Sequence, residues 1–370
     1  MTDFTTYPLE NISLQDAVNR QFAFVDCMTH HFRGEETLSL GDLGVFPGIN
    51  QPRTTRKVEK VLAEFFHVEE AMLVQGAGTG AIRLALHSAL KVSQTLLVHD
   101  APIYPSTESS ILSLGIKTVR ADFNKLKGTE KLPHEFDAVL IQYTRQKPDD
   151  SYDMEKTVQY FKQNYPSVKI ISDDNYAVMK VKKIGAELGA SLSCFSTFKL
   201  LGPEGVGCIV GDGKLIDLLR RENYSGGSQI QGHQAMAVLR GLTYAPVALA
   251  NEAAVVEEVK MRLENIKEIP GVARAYIANA QSKVLLIEFK HPIAEKVLHY
   301  AGEFGAAPYP VGAESRYELV PMFYKVSGTF KAFDQNLLNT TIRINPNRAG
   351  AETIMNILKH ALVKAGEVCS

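Results

Sequence analysis

The sequence predicts an α/β protein with a large domain built on a mainly parallel seven-stranded sheet, followed by a smaller α+β C-terminal domain. Three observations lead there. Seven short apolar, β-branched runs lie between residues 71 and 210 and alternate with helical patterns, the signature of βαβ units. Most runs are continuously hydrophobic rather than alternating, as strands covered on both faces by helices must be. Beyond residue 229 the pattern changes to a long helical stretch and then to mixed strands and helices.

The seven runs are 71–75, 95–100, 116–121, 138–143, 169–172, 191–196 and 206–210. Only the turn Gly202-Pro203-Glu204-Gly205 separates the last two. That is too little chain for a crossover helix, so this pair is expected to be an antiparallel hairpin. From Gln229 to about Ile266 the pattern is helical, with Gly241 and Pro246 marking an expected break between two helices. Strands at 273–277 and 284–289, a helix at 293–304, a strand at 341–344 and a final helix at 351–365 complete the chain. The domains read as an N-terminal segment 1–50, a large domain 51–245 and a small domain 246–370.

Composition narrows the function classes. The 370 residues carry a formal net charge of −1 with 22% charged and 45% hydrophobic residues, which points neither to nucleic acid nor to a membrane surface. The brief basic run Lys180, Lys182 and Lys183 reads as solvated surface. The stretch 1–10 is polar, with Asp3 and Glu10, and does not read as a signal peptide. No apolar run reaches the about 18 residues of a membrane span. Cys27, Cys194, Cys208 and Cys369 are scattered and suggest a reducing compartment, so a cytoplasmic protein is expected. Cys27, His30 and His31 fall on one predicted helix without a second ligand cluster, and no metal is expected there.

Three segments carry chemistry. The first, Gln75-Gly76-Ala77-Gly78-Thr79-Gly80-Ala81, lies between a strand and a helix expected to begin near Ala81; its small residues let backbone amides approach a phosphate at a helix N-terminus. Gly76, Gly78 and Ala81 also satisfy a dinucleotide fingerprint, with Asp100 near the place of a ribose-binding acid, so an NAD-dependent oxidoreductase is a rival reading. The second, Ile171-Ser172-Asp173-Asp174-Asn175-Tyr176, sets carboxylates at the end of an apolar strand. Either Asp173 or Asp174 caps the next helix, or Asp173 keeps a proton on a pyridine nitrogen. The third, Ser196-Thr197-Phe198-Lys199, places an amine after an apolar strand, where burial favours the neutral, imine-forming state, and puts two hydroxyls beside it. A hydride-transferring enzyme has no use for the acid, the lysine and the hydroxyls together. An imine-forming phosphate cofactor uses all three, so pyridoxal 5'-phosphate (PLP) is favoured over NAD.

In order and spacing these segments resemble the fold-type I PLP-dependent enzymes, the aspartate aminotransferase superfamily. The resemblance implies the PLP-transferase fold, with Lys199 as the Schiff-base lysine, Asp173 at the pyridine nitrogen and Tyr176 near the ring hydroxyl. It also implies Gly78, Thr79, Gly80, Ser196 and Thr197 around the phosphate and Tyr104 stacked on the ring. Arg343, in Thr341-Ile342-Arg343-Ile344-Asn345, takes the place of the arginine that holds the substrate carboxylate. Read on their own residues, Tyr104 could equally be a core tyrosine and Arg343 part of a surface ion pair. Lys199-Leu200-Leu201-Gly202-Pro203 is similar to a turn of bacterial selenocysteine synthase, and Arg240-Gly241-Leu242-Thr243 to the cystathionine lyase group. Asp173 to Lys180 and Gly226 to Gln231 are similar to the bacterial YhfS type over nearly the whole chain. Two departures stand out: Asn175 replaces a small residue beneath the ring, and no tyrosine-arginine pair of the lyase kind is clear at 50–53.

The resemblance implies an amino acid substrate and a homodimer with sites at the subunit interface, where Gly226, Gly227 and Ser228 reach a neighbour's phosphate. Elimination or replacement at Cβ or Cγ ranks above transamination, with racemase and aldolase chemistry also open. A catalytically silent PLP-fold binding protein is the non-enzymatic alternative.

Overall fold

The structure, a computed structural model, describes residues 5–133, 135–265, 269, 271–280 and 282–366. Cys369, Asp3 and the end of the predicted helix at Ile266 lie outside them. The chain divides into two compact units, one of Gln15–Tyr143 and Tyr152–Pro246, the other of Met1–Leu14, Thr144–Ser151 and Val247–Ser370.

The first unit opens with α1 (Leu14–His31) and α2 (Arg53–Phe65). Next come β1 (Glu70–Gln75), α3 (Ala77–Ala89), β2 (Thr95–His99), α4 (Pro105–Ser113), β3 (Lys117–Ala121), β4 (Ala138–Gln142) and α5 (Met154–Asn164). β5 (Lys169–Asp173), β6 (Leu192–Ser196), β7 (Val206–Gly211), α6 (Gly213–Glu222) and the start of α7 (Gly232–Asn265) complete it. All seven predicted strands form one sheet in the order β1-β7-β6-β5-β4-β2-β3. β7 alone runs against its neighbours, pairing antiparallel with both β1 and β6, so the other six strands end at one edge. Central strands are apolar because both faces are covered: Leu96, Leu140, Ile171, Leu192 and Ile209 pack with Ile82 and Leu86 of α3. β3, at the edge, is more exposed and carries Lys117 and Arg120, charges that discourage further strand pairing.

Three expectations need correction. α3 begins at Ala77, four residues before the expected start, since Gly76 supplies a left-handed N-cap (φ 92°) that turns the chain at once. No break occurs at Gly241 and Pro246; α7 is one 34-residue helix with Pro246 inside it. Gly241 is needed for contact: a Cβ there would sit 2.5 Å from the backbone of Leu201, so its absence lets the turn after Lys199 lie against the helix. Lys180 is buried, 6% exposed, with its ammonium 5.8 Å from the centre of the Tyr176 ring; it does not belong to a solvated basic run. Cys27, His30 and His31 lie on α1 as expected, and both histidines bond the Glu64 carboxylate. No cluster able to hold a metal ion occurs among the described residues.

The second unit contains the end of α7, then β8 (Val272–Ala280), β9 (Ser282–Phe289), α8 (Ala294–Glu303), β10 (Met322–Lys325), α9 (Gly328–Phe333), α10 (Leu337–Thr340), β11 (Thr341–Asn345) and α11 (Ala351–Ala365). Its four strands form an antiparallel sheet in the order β10-β11-β9-β8. Ile287, Ile342 and Ile344 face Val297 of α8 and Leu358 of α11 in its core. β10 was not predicted. It is only four residues long and follows Pro321, which gives periodicity little to act on. No helix among the described residues is long and apolar enough to cross a membrane.

Candidate active site

Six strands of the large sheet end at the same edge, and chemistry-bearing side chains gather where β5 and β6 finish side by side. In open α/β sheets this is the edge where ligands bind. Asp173 is the last residue of β5 and is 7% exposed. Its Oδ1 accepts two hydrogen bonds from Asn175, from the backbone N–H at 3.1 Å and from Nδ2 at 2.7 Å. Burial raises the pKa of this carboxyl; the Asn175 side chain, the Lys199 charge and the Asn175 backbone all act against it.

Lys199 sits on the short 3-10 turn Phe198–Leu200 directly after β6. Its Nζ lies 3.7 Å from the centre of the Tyr176 ring, a cation–π contact. Tyr176 adopts φ 65°, and Met179, three residues on, does the same. Non-glycine residues in the left-handed region store strain, which collects at functional sites. Asp174, adjacent to Asp173, is fully buried; Oδ2 accepts from Gly185 N–H at 2.9 Å while Oδ1 meets no partner among the described residues. Its pKa is pushed up to about 7, chiefly by burial. Burial, with Asp173 and Asp174 nearby, likewise pushes up the Cys194 thiol and keeps it inert.

The glycine-rich turn is shaped largely by the protein's own packing. A Cβ on Gly80 would stand 2.0 Å from the Gln75 carbonyl, and one on Gly78 would stand 2.6 Å from Asn175 Oδ1. Thr79 is the member of the trio with a polar side chain, and its hydroxyl meets that of Ser106 at 2.9 Å. Each belongs to the first turn of a helix, α3 or α4, where amide N–H groups have no partner within the helix. Two hydroxyls and two helix starts suit an anion such as a phosphate.

The other predicted residues fall as follows. Tyr104 is the N-cap of α4 and is 39% exposed, so it is no core tyrosine. Ser196 ends β6, and its N–H donates to Asn175 Oδ1 at 3.0 Å. Thr197 departs from the phosphate role: it is fully buried, and its hydroxyl donates to the Val206 carbonyl at 2.9 Å, closing the β6–β7 hairpin. Ser228 turns its hydroxyl to Ser225 O at 2.8 Å. Arg343 belongs to the second unit, on β11. It is buried, with Nε donating to Lys325 O at 2.8 Å and its guanidinium 4.1 Å from the centre of the Tyr324 ring, and it lines a cavity of about 860 Å³ with Lys296 and Tyr309.

Topology also disposes of the dinucleotide reading of Gly76, Gly78, Ala81 and Asp100. Such a site needs the glycine turn and the acid on neighbouring parallel strands. Here four strands separate β1 from β2, which ends just before Asp100. At ~4.8 Å per strand the two ends lie roughly 24 Å apart.

Sequence reasoning noted Asn175 only as a departure and missed its part in the cluster. Its bonds reach forward 21 residues to Ser196, a link that spacing along the chain does not reveal.

Comparison with known proteins places this geometry. Residues 257–358 match the family described as YhfS-like, C-terminal domain. Over 359 residues, 96% of this chain and 99% of the relative, the sequence is 51% identical to YhfS of Escherichia coli strain K12. The crystal structure of the pyridoxal-5'-phosphate-dependent protein YhfS from Escherichia coli matches with a TM-score of 0.92 at 49% identity, covering 97% of this chain and 99% of that one. A cystathionine γ-lyase, CalE6, from Micromonospora echinospora shares the fold with a TM-score of 0.68 at 17% identity, over 86% of this chain and 88% of its own. A cystathionine γ-synthase from Xanthomonas oryzae does so at 0.66 and 16%, over 89% and 92%.

Proposed function

The chain belongs to the YhfS family, and on that premise we propose that it is a PLP-dependent enzyme acting on an amino acid, with lyase-type elimination or replacement at Cβ or Cγ as its reaction. The observation that carries the reading is the meeting of Asp173, Asn175, Ser196, Tyr176 and Lys199 where β5 and β6 end. The structural likeness to cystathionine lyases and synthases is one of fold and supports the reaction class to that extent. The residues suit the cofactor: Thr79 and Ser106 offer hydroxyls at helix starts, and a buried carboxylate lies within the field of Lys199.

When bound, PLP supplies an aldehyde carbon for an amine and, through its protonated pyridine ring, a sink for the electron pair of a broken bond. Lys199 Nζ would hold the cofactor, and the same amine would serve as the base for the proton at the substrate Cα. The Asp173 carboxylate would hold the proton of the ring nitrogen, which a buried anion does well. Tyr104 would hold the ring, Tyr176 lies beside the Lys199 amine, and Gly78, Thr79, Gly80 and Ser196 would hold the phosphate. Thr197 supports that frame from inside the hairpin. Arg343 is assigned the substrate carboxylate, for which a guanidinium fork is the natural partner. The working form is a cytoplasmic homodimer, in keeping with the family resemblance.

The test is spectroscopic. Purified protein given PLP is expected to show violet absorption, lost in Lys199→Ala. Failure of the band to form, or its survival in that variant, overturns the assignment. An amino acid screen then separates the reactions: release of ammonia with a keto acid marks elimination, whereas conversion of the cofactor to its amine form marks transamination. No turnover with any amine marks a silent binding protein.

A further inference from the structure

We infer that Asn175 is the positioning residue of this site: its carboxamide clamps the Asp173 carboxylate to the backbone of Ser196, fixing which carboxylate oxygen faces the cofactor. The inference rests on the PLP reading for its purpose, while the clamp itself is a property of the chain.

Three observations carry it. Asn175 Nδ2 donates to Asp173 Oδ1 at 2.7 Å while Asn175 Oδ1 accepts from Ser196 N–H at 3.0 Å, so one side chain bridges the ends of β5 and β6. Asp173 Oδ1 also accepts the Asn175 backbone N–H, and Oδ2 accepts no hydrogen bond among the described residues, which leaves Oδ2 as the oxygen on offer. The carboxamide lies where a Cβ of Gly78 would sit, 2.6 Å from its Oδ1 and 2.7 Å from its Nδ2. The glycine of the upstream turn thus makes room for the clamp.

The chemistry of the site selects this residue type. A carboxamide donates and accepts at once without titrating. Alanine would leave the Ser196 N–H and the Asp173 carboxylate without these bonds, and aspartate would set a second charge against the first. The Asn175 side chain opposes the effect of burial on Asp173. The other charged or titratable groups whose fields reach the carboxylate are Lys199, from the turn after β6, the adjacent Asp174, and Cys194 on β6.

The experiment has two arms, both applied to the full chain. In the apoprotein with carbon-13-labelled aspartate, the Asp173 carboxyl, identified by its loss in Asp173→Asn, is titrated in wild type, Asn175→Ala and the isosteric Asn175→Asp. The expected result is a titration midpoint higher by about one pH unit or more in Asn175→Ala and higher still in Asn175→Asp. In the PLP-loaded protein, Asn175→Ala is expected to release cofactor about tenfold faster or more, the effect of losing a hydrogen bond to a charged group. Gly78→Ala is expected to raise the midpoint on its own but to add little in the Asn175→Ala background. A purely structural Asn175 would lower thermal stability and leave the Asp173 midpoint in place. An unchanged midpoint in both Asn175 variants, with native circular dichroism, overturns the clamp. A wild-type protein without violet absorption overturns the PLP reading, and the apoprotein titration still decides the clamp.

Discussion

Removing the charge of Asp174 should change how stability depends on pH. The carboxyl is fully buried, its Oδ2 is bonded to Gly185 N–H, its Oδ1 is unpartnered among the described residues, and its pKa stands at about 7. In the unfolded chain it titrates near 3.9. The folded state therefore holds the proton more tightly, and stability falls as pH rises between those values by up to 1.36 kcal/mol per pH unit. The total is ~4 kcal/mol, absent below pH 4 and complete above pH 7. Asp174→Asn keeps an oxygen for Gly185 N–H and removes the titration. Urea unfolding of wild type and variant from pH 4 to 9 measures the difference. The variant should gain on wild type steadily from pH 4 to 7 and hold a constant advantage above pH 8. Parallel curves would refute the reasoning, since they would mean that Asp174 titrates alike in both states.

Gly80→Ala should destabilise the large domain by about 3 kcal/mol or more, because its Cβ would meet a backbone oxygen that cannot step aside; thermal unfolding reads this directly. Glu59 is 2% exposed, accepts from Gln51 Nε2 and Leu73 N–H, and lies 3.6 Å from both Arg56 and Arg220. Glu59→Ala should therefore lower stability by about 3–5 kcal/mol, and Glu59→Gln, which keeps an oxygen for Leu73 N–H, by clearly less; the ranking of the two melting temperatures checks the assignment.

The strands were legible because burial on both faces writes nearly unbroken apolar runs such as Ile170-Ile171 and Val139-Leu140-Ile141. Asp173 and Lys199 were legible for a related reason, as charges placed where apolar strands end. What escaped notice depends on contacts distant in sequence. Gly241 reads as a helix breaker until Leu201 is seen lying against it. Lys180 reads as surface until the strained turn from Tyr176 to Met179 carries it inward. Gly78 and Gly80 read as a ligand cradle, yet Asn175 and the Gln75 carbonyl account for their missing side chains. Asn175 shows no local signal because a bridging amide is recognisable only by what stands on either side of it.

The reversed strand β7 has a consequence for how the molecule is made. It lies between β1 and β6, pairing Gln75 with Val206 on one side and Ser196 with Gly207 on the other. During synthesis β1 emerges long before β7, and until β7 arrives both neighbours present bare edges. The turn carrying Lys199 cannot take its final position before that insertion, since Thr197 is bonded to Val206 through both backbone and hydroxyl. A nascent chain stopped short of residue 206 would hold Asp173 and the glycine turn and still lack a seated lysine. The step that closes the sheet is thus also the one that seats the lysine.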